Sequence, residues 1–356
     1  MTDTVLVTGA FGLVGSATVK HLAAAGRRVV ATDLDTAANR KAAAKLPAGA
    51  EVRWADLTDP AQVAVLVAEV SPAVVIHLAA VIPPTCYANP ALARKVNVGA
   101  TANLTEAAAG QTNPPRFVQA SSIAVYGPRN PHRFSDVLTA ETPVRPFDIY
   151  GAHKVETEAI VRNSGLDWVI LRLGGVLTVD LGTVAVNSDV MYFEGTLPSD
   201  GRLQTVDVRD VAHAFAAATT ADVVGRTLLI GGDDTHRQRQ GEVSASLTAA
   251  MGLVGALPTG RQGNPDDDDA WFSTDWMDSA TAQQVLGHQH HSWPQMLAET
   301  AEKVGWRRYP LRLIAPLAGE FLKRRSPYHG QPGNYADPWE AVRRKWGAAK
   351  ADGASP

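Results

Sequence analysis

The chain has 356 residues, of which 45% are hydrophobic, and its formal net charge at pH 7 is −3. This length supports one large core, or one core and a smaller lobe, and the charge gives no indication of nucleic-acid binding. The single cysteine, Cys86, excludes an internal disulfide framework, and no apolar run reaches the about 20 residues that a membrane span needs.

The beginning of the chain, MTDTVLVTGA, enters a strand pattern at once and lacks the basic region of a secretory signal. A lone cysteine also suits a reducing compartment. We therefore expect a soluble, cytoplasmic protein.

Short runs rich in Val, Ile and Leu alternate with Ala-rich segments of 3.6-residue periodicity. The apolar runs are nearly continuous, as in strands that are buried on both faces. They lie at residues 4–9, 27–33, 52–56, 73–79, 116–122, 167–174 and 226–232. This alternation predicts an α/β fold: a doubly wound, parallel Rossmann sheet of about seven strands, with a small C-terminal lobe.

The stretch TGAFGLVGS lies between the first predicted strand and the first helix. Its G-x-x-G-x-x-G spacing suits a tight turn, a close backbone approach to a pyrophosphate, and close packing of helix on strand. The amino end of the helix adds N–H groups and a positive dipole end. The predicted dinucleotide contacts in this loop are Gly9, Phe11, Gly12, Leu13, Val14 and Gly15.

The next predicted strand ends at Asp33, eighteen residues after Gly15. A carboxylate there can accept both ribose hydroxyls of adenosine and repels a 2′-phosphate, so we expect NAD rather than NADP as the cofactor. The alternative is a solvated strand end. Asp56 and Leu57 end the third strand and are predicted to flank the adenine, although Asp56 could instead cap the following helix.

Tyr150 and Lys154 are four residues apart at the start of a predicted helix, so they share one face. An ammonium beside a phenol lowers the pKa of the phenol, which favours proton transfer near neutral pH. Ser122 ends the fifth strand, where a ligand of such a sheet binds. Each feature alone is common on helix surfaces and in turns. Together and in this order they predict a catalytic set of Ser122, Tyr150 and Lys154.

The C-terminal third has looser patterning, with polar loops and two helical segments before residue 305. We predict a dinucleotide-binding domain over 1–175 plus 206–232, a substrate lobe over 176–205 plus 233–305, and a basic amphipathic extension over 306–356. The acidic run Asp266–Asp269 is expected to be a solvated loop, with no metal site.

The extension contains YPLRLIAPLAGEFLKRRSPYHG, with apolar residues at helical spacing and a basic end. Such a segment can lie on an anionic membrane. Docking on the domain or on a partner subunit is the alternative that the sequence favours, because Pro316 is expected to interrupt the helix.

Seven motifs occur in family order over residues 4–176 and give the chain a specific resemblance. They are TGAFGLVG, Asp33, HLAA, NVGATANLTEAA, SSIAVYG, YGAHK and LRLGGV. The chain resembles the extended short-chain dehydrogenase/reductase superfamily, within it the NAD-dependent epimerase/dehydratase family. The resemblance weakens toward residue 300 and does not cover the C-terminal extension.

The resemblance implies a role for each catalytic residue. Tyr150 would be the general acid/base, and Lys154 would lower its pKa and bind the nicotinamide ribose. Ser122, rather than its neighbour Ser121, would hold the substrate oxygen. The remaining predicted cofactor contacts are Leu78, Ala79, Ala80, Asn97, Ala120 and Val176. Asn97 could equally serve a local backbone kink. Family members commonly form homodimers through the helices that hold Asn97 and Tyr150.

The chain departs from nucleotide-sugar members of the family at two points. The segment between LRLGGV and TVDVRDV is only about thirty residues long, and it replaces a longer insertion that forms much of the nucleotide pocket. Leu203 lies near the position of a phosphate-binding arginine, with Arg202 beside it. The first hypothesis is therefore an NAD-dependent oxidoreductase that acts on a secondary alcohol or ketone.

Two alternatives stay open. One is a nucleotide-sugar epimerase or dehydratase with tightly bound NAD, which the same catalytic set allows. The other is a non-catalytic dinucleotide-sensing protein, which the Tyr–Lys pair argues against. The substrate is expected to be a small molecule of unknown identity.

Overall fold

The computed structural model describes residues 3–180, 187–257 and 260–347. Its strands are β1 (Thr4–Thr8), β2 (Arg28–Asp33), β3 (Ala50–Trp54), β4 (Val74–His77), β5 (Arg116–Ser122), β6 (Trp168–Leu173), β7 (Gly175–Leu177), β8 (Arg202–Asp207), β9 (Arg226–Ile230) and β10 (Arg237–Arg239). Seven of them form one parallel sheet in the order β3-β2-β1-β4-β5-β6-β9. The predicted α/β fold with a seven-stranded sheet is confirmed.

Helices cover both faces of this sheet and the C-terminal part of the chain. They are α1 (Leu13–Ala24), α2 (Ala37–Ala43), α3 (Pro60–Val70), α4 (Thr85–Ala88), α5 (Pro90–Arg94), α6 (Ala100–Ala109), α7 (Ile149–Arg162), α8 (Ser188–Glu194), α9 (Val208–Ala218), α10 (Gln240–Ala250), α11 (Ala280–Leu286), α12 (Trp293–Val304), α13 (Arg308–Arg324) and α14 (Pro338–Trp346). None of the helices in the described ranges combines the length and apolarity needed to cross a membrane.

The core consists of two apolar layers, one on each face of the sheet. Successive residues of a strand point to opposite faces. Val5 and Val7 therefore join the layer that contains α1 and α9, and Leu6 joins the layer that contains α3 and α6. This double burial explains why the strands read as nearly continuous apolar runs.

A second, three-stranded sheet lies beyond the central one. β8 pairs with β7 in parallel and with β10 antiparallel. β8 therefore crosses the boundary predicted at residues 205 and 206. Part of the predicted substrate lobe, residues 181–186, and two residues of its second segment, 258 and 259, lie outside the described residues.

The C-terminal extension contains two helices with different surroundings. Pro316 lies inside α13, so the expectation that it interrupts the helix is wrong. A proline removes one backbone N–H, but its fixed φ is helical, so a helix can continue through it. α14 packs beside α4 and buries Trp339, Ala341 and Val342. The last part of the predicted extension, residues 348–356, lies outside the described residues.

A buried ion pair ties α7 to the central sheet. Glu158, 1% exposed, accepts hydrogen bonds from Arg172 Nε at 2.8 Å and Nη2 at 2.7 Å. Its carboxylate also accepts from the Ser121 hydroxyl at 2.6 Å and from Arg162 at 2.9 Å. Burial is the largest single influence and raises the pKa of Glu158, but the hydrogen bonds and positive charge of Arg172, together with Ser121 and Arg162, outweigh it, so the pKa is lowered.

Removal of the Glu158 carboxylate leaves the Arg172 guanidinium buried without its main partner. We expect Glu158→Ala to lower the free energy of unfolding by about 3–5 kcal/mol. The control is Glu156→Ala on the same helix, which breaks an exposed pair with Arg94 and should cost about 1 kcal/mol or less. Urea unfolding followed by circular dichroism gives both values. Equal losses in the two variants would contradict the role of the buried pair.

Candidate active site

The glycine loop forms a narrow cradle at the carboxyl end of β1. A Cβ on Gly9 would lie 2.7 Å from the Ala79 nitrogen, and a Cβ on Gly15 would lie 2.1 Å from the Gly9 oxygen. Both distances are too short for any side chain, so this loop requires glycine at these positions. Gly9 also has a φ of 63°, in the left-handed region that favours glycine.

The amino end of α1 opens into this cradle. Its N-cap residue is Gly12, and in the described structure no side chain caps the helix. The first-turn N–H groups, which include those of Leu13 and Val14, have no carbonyl partner within the helix. Gly12 and Leu13 are exposed. The loop therefore fits an anionic pyrophosphate, which such N–H groups bind.

Asp33 lies at the end of β2 beside the glycine loop. Its carboxylate accepts hydrogen bonds from the Leu34 N–H at 2.8 Å and the Phe11 N–H at 3.3 Å. Asp33 is half-buried, so part of the carboxylate is available to a ligand. The Phe11 ring lies 5.4 Å from the Trp54 ring, centroid to centroid. The sequence analysis missed Trp54, although Trp54 lies opposite Asp33 on the neighbouring strand β3 and so at the same edge of the sheet.

Asp56 and Leu57 follow β3 near the same edge of the sheet. The Asp56 carboxylate accepts from the Thr58 N–H at 2.9 Å and its hydroxyl at 2.7 Å. The cap of α3 is Asp59, which accepts from the Ala61 N–H at 2.9 Å. The helix-cap alternative for Asp56 is therefore wrong, because the N-cap lies three residues later, at Asp59. Leu57 is buried in the core layer that contains α3.

Asn97 positions the loop that follows β4. Its side-chain oxygen accepts from the Val81 N–H at 2.7 Å, and its amide donates to the Val81 carbonyl at 3.0 Å. These bonds hold the segment of Leu78, Ala79 and Ala80, which passes beside Gly9. Asn97 lies in a π-helical turn, Lys95–Gly99, between α5 and α6. Asn97 thus lies in a distorted helical turn and also bonds the loop after β4. The sequence analysis treated these two roles as alternatives.

Ser122, Tyr150 and Lys154 meet at the carboxyl end of β5. The Ser122 hydroxyl lies beside the Tyr150 phenol, where it lowers the pKa of that phenol, and the Lys154 ammonium lies 5.7 Å from the centroid of the Tyr150 ring. Lys154 is 4% exposed and donates to the Ala120 carbonyl at 2.8 Å. The neighbouring Ser121 is instead bonded to Glu158. Ser122 is therefore the serine that faces Tyr150.

The protonation of this trio differs from the sequence expectation. Burial raises the pKa of the Tyr150 phenol, with smaller contributions in the same direction from Cys86 and Asp148. Burial also lowers the pKa of Lys154 to about 8. Desolvation is the largest influence on both groups, so the net pKa shift of Tyr150 is upward. The lowering of this pKa by Lys154 stays a prediction.

Gly151 sets the distance between α7 and Ser122. A Cβ at this position would lie 2.5 Å from the Ala124 carbonyl oxygen. The sequence analysis quoted Gly151 only as part of the YGAHK motif. The amino end of α7 is fixed by Asp148, which accepts from the Gly151 N–H at 3.0 Å and from the Tyr87 hydroxyl at 2.6 Å.

An aromatic wall extends from Tyr150 toward the C-terminal helix. Trp339 stacks on Phe272 at 5.3 Å and lies 5.1 Å from Phe147. The members of the wall, which belong to or pack against one buried cluster with Tyr150, are Tyr87, Phe147, Phe193, Phe272, Trp339 and Trp346. The sequence did not reveal this wall, because its members come from five separate segments.

Residues 176, 202 and 203, which the sequence analysis singled out, all make contacts within the chain. Arg202 is 6% exposed, pairs with Asp275 at 3.3 Å and donates to the Asp136, Pro131 and Phe134 carbonyls. Its guanidinium is therefore bonded within the chain. Leu203 is buried, and Val176 lies opposite Val206 in the small sheet, partly buried against the core.

The acidic run near residue 266 is bound by basic side chains. Asp268 accepts from Asn130 at 2.9 Å and pairs with Arg133 at 3.3 Å, and Asp269 pairs with Arg145 at 3.3 Å. The expected solvated loop is thus a set of ion pairs. Within the described part of the chain, no group of three or more His, Cys, Asp or Glu residues could hold a metal ion.

Comparisons with known proteins agree with this geometry. The chain is 29% identical over 180 residues to an uncharacterized epimerase/dehydratase of Staphylococcus saprophyticus, covering 49% of this chain and 53% of that protein. It is 30% identical over 179 residues to a UDP-glucose 4-epimerase of Mycoplasma genitalium, covering 48% and 52%. The chain therefore spans about half the length of the curated relatives it matches.

Solved structures resemble more of the chain. UDP-glucose 4-epimerase of Thermus thermophilus, in complex with NAD, aligns with a TM-score of 0.67 and 24% identity over 85% of this chain and 98% of that one. The Bordetella bronchiseptica enzyme WbmG, in complex with NAD and UDP, aligns with a TM-score of 0.67 and 20% identity over 87% and 97%. These likenesses establish the fold.

The matched region contains the glycine loop, Asp33 and the Ser122, Tyr150 and Lys154 trio. Residues 5–180 match the NAD dependent epimerase/dehydratase family. The match therefore assigns residues 5–180, which are 176 of the 356 residues, to the family that the seven sequence motifs resemble.

Proposed function

We propose that this chain is an NAD-dependent enzyme that oxidises a secondary alcohol carbon as the first step of an epimerase or dehydratase reaction. The observation that carries the proposal is the placement of Tyr150 next to Ser122 and next to the buried Lys154, at the edge of the sheet where the glycine loop lies. The match of residues 5–180 supports this reaction class.

NAD supplies the redox chemistry, since its nicotinamide accepts and returns a hydride. Gly9, Gly12 and Gly15 would hold its pyrophosphate, because their loop leads into the amino end of α1, where no side chain of the described residues caps the N–H groups. Asp33 would accept the adenosine ribose hydroxyls. These assignments rest on the shape of the cradle and on the half-buried carboxylate.

Tyr150 would take the proton from the substrate hydroxyl as the carbonyl forms, and return it in the reverse step. Ser122 would hold the same oxygen by a hydrogen bond. Lys154 already donates to Ala120, so it stands where it can bond both the backbone and a ribose hydroxyl. A positive charge brought close by a bound cofactor would favour the phenolate and oppose the effect of burial on the pKa of Tyr150.

The comparisons support an outcome in which the hydride returns within the site, as in epimerases and dehydratases. A net NAD-dependent oxidoreductase acting on a lipophilic alcohol or ketone is the second candidate. Two observations favour this second candidate. An apolar aromatic wall lies beside Tyr150, and the Arg202 guanidinium is bonded to groups of the chain itself. A homodimer through α6 and α7 remains a prediction.

The first test concerns Tyr150. We expect Tyr150→Phe to keep NAD affinity, measured by calorimetry, and to lower kcat by at least about 100-fold, because the general acid/base is lost. Candidate substrates are UDP-sugars and lipophilic secondary alcohols, assayed by product chromatography and by NADH absorbance.

The control is Tyr335→Phe, an exposed tyrosine that should leave kcat unchanged. Full activity in Tyr150→Phe would contradict the mechanism. NAD binding by the wild-type chain without turnover of either substrate class would favour the dinucleotide-sensing alternative. NAD released by denaturation at near one per chain would favour the epimerase or dehydratase outcome.

Asp33 is expected to set the cofactor preference. Asp33→Ser removes the carboxylate that would bind the ribose, so NAD affinity should fall about 10-fold and discrimination against NADP should decrease. Asp35→Ser is the matched control, because Asp35 is exposed and pairs with Arg40. Calorimetric titration with both cofactors measures the effect, and an unchanged NAD to NADP ratio in Asp33→Ser would contradict the assignment.

The aromatic wall is expected to contact the substrate rather than the cofactor. Trp346 is partly buried at the edge of the wall, 5.6 Å from the Tyr192 ring and 6.4 Å from the Tyr87 ring. We expect Trp346→Ala to raise KM by about 10-fold through lost aromatic contact, with NAD affinity unchanged. Trp306→Ala, on the exposed surface, is the control for tryptophan removal. A KM unchanged in Trp346→Ala would remove the wall from the substrate site.

A further inference from the structure

One face of α13 carries a continuous apolar stripe that is exposed. Five of its residues recur every three or four positions, so they lie along one side of the helix. The outer face consists of Trp306, Tyr309, Leu313, Ile314, Leu317 and Phe321. Leu313 is 81% exposed and Leu317 is 75% exposed. Scattered apolar side chains are normal on a surface, but a contiguous patch of this kind marks an interaction site.

The opposite face of α13 already packs on the protein. Ala315 is buried, and a Cβ on Gly319 would lie 3.3 Å from the Ala256 oxygen. Leu311 and Leu322 on this inner side are partly buried. The helix is therefore seated on the turn around residues 252–256, and its seating does not use the outer face.

Basic side chains border the outer face at both ends. Residues 305–325 contain six basic residues and one acidic residue, in a chain whose net charge is −3. The Arg325 guanidinium lies 4.4 Å from the centroid of the Phe321 ring, and that of Arg312 lies 5.9 Å from the Tyr309 ring. Apolar surface and positive charge are thus adjacent, whereas the acidic Glu320 is paired with Arg324.

We propose that the outer face of α13 docks on a lipid bilayer with anionic headgroups. The leucines, isoleucine and phenylalanine would enter the boundary between headgroups and acyl chains, with Trp306 and Tyr309 at headgroup level. The bordering Arg and Lys side chains would meet the lipid phosphates. A second copy of the chain is a poorer occupant, because it would place the same positive charges against each other.

This proposal does not depend on the proposed catalytic function. Docking through α13 would place the rest of the chain at the membrane surface whatever reaction it performs. Deletion of residues 306–356 would be a poor test of the proposal, because it would also remove α14, which belongs to the aromatic wall beside Tyr150. Point substitutions on the exposed side of α13 leave that wall in place.

The first experiment is co-sedimentation of the full chain with vesicles of phosphatidylcholine containing 30% phosphatidylglycerol, at low salt. The wild-type chain should bind these vesicles and should bind pure phosphatidylcholine at least ten times more weakly. The double variant Leu313→Asp, Leu317→Asp should lose binding at least tenfold. Failure of the wild-type chain to bind the anionic vesicles would overturn the proposal.

Two matched variants separate the apolar and the charged contributions. Val65→Asp, at another exposed apolar position, should bind as the wild type does. Lys323→Gln with Arg325→Gln should weaken binding about fivefold, whereas Lys41→Gln with Lys45→Gln, two exposed positions in and just after α2, should leave it unchanged. Equal weakening by the α2 pair would mean that net charge alone drives adsorption, and the proposal would fail.

A spectroscopic measurement reports on the docked face directly. Brominated lipids should quench part of the tryptophan fluorescence of the wild-type chain, and Trp306→Phe should remove most of that quenching. Quenching that persists in Trp306→Phe would place the contact elsewhere. If light scattering instead showed a dimer that Leu313→Asp dissociates, with no vesicle binding, a second copy would be the occupant and the proposal would be wrong.

Discussion

The seating of α7 against the carboxyl end of β5 is the constraint on which the site depends. Three residues on one side of this helix make successive contacts with the strand end: Gly151 against Ala124, Lys154 with the Ala120 carbonyl, and Glu158 with Ser121. Because these positions are three and four residues apart, one face of the helix is fixed along its length. Tyr150 is then held beside Ser122 as a consequence.

Burial has opposite consequences along this helix. Glu158 is deep but fully paired, so it remains a carboxylate and fixes the helix. Lys154 is also buried and Tyr150 is partly buried, and burial shifts the pKa of each toward its neutral form. A site of this kind is poised for a charged ligand, since a nearby positive charge would favour the phenolate of Tyr150.

The C-terminal segment divides into parts with different physical roles. α14 buries Trp339 and Val342 in the cluster of the aromatic wall. Its Lys345 also pairs with Asp189 of α8 at 2.8 Å. α13 presents its larger apolar side chains to the outside instead. A sequence pattern of apolar residues at helical spacing is the same in both cases. Only the neighbours of each helix distinguish a buried face from an exposed one.

The sequence by itself determined the sheet, the glycine loop and the order of Ser122, Tyr150 and Lys154. Those features are local: doubly buried strands must be apolar, and the positive φ of Gly9 favours glycine at that turn. Tertiary structure decided what depends on distant segments. It brought Trp54 to Phe11, bonded Ser121 to Glu158 so that Ser122 faces Tyr150, assembled the aromatic wall from five segments, and used Arg202 internally. It also reversed the expected pKa shift of Tyr150. Desolvation depends on every segment packed around a group, and the spacing of Tyr150 and Lys154 on one helix gives no information about those segments.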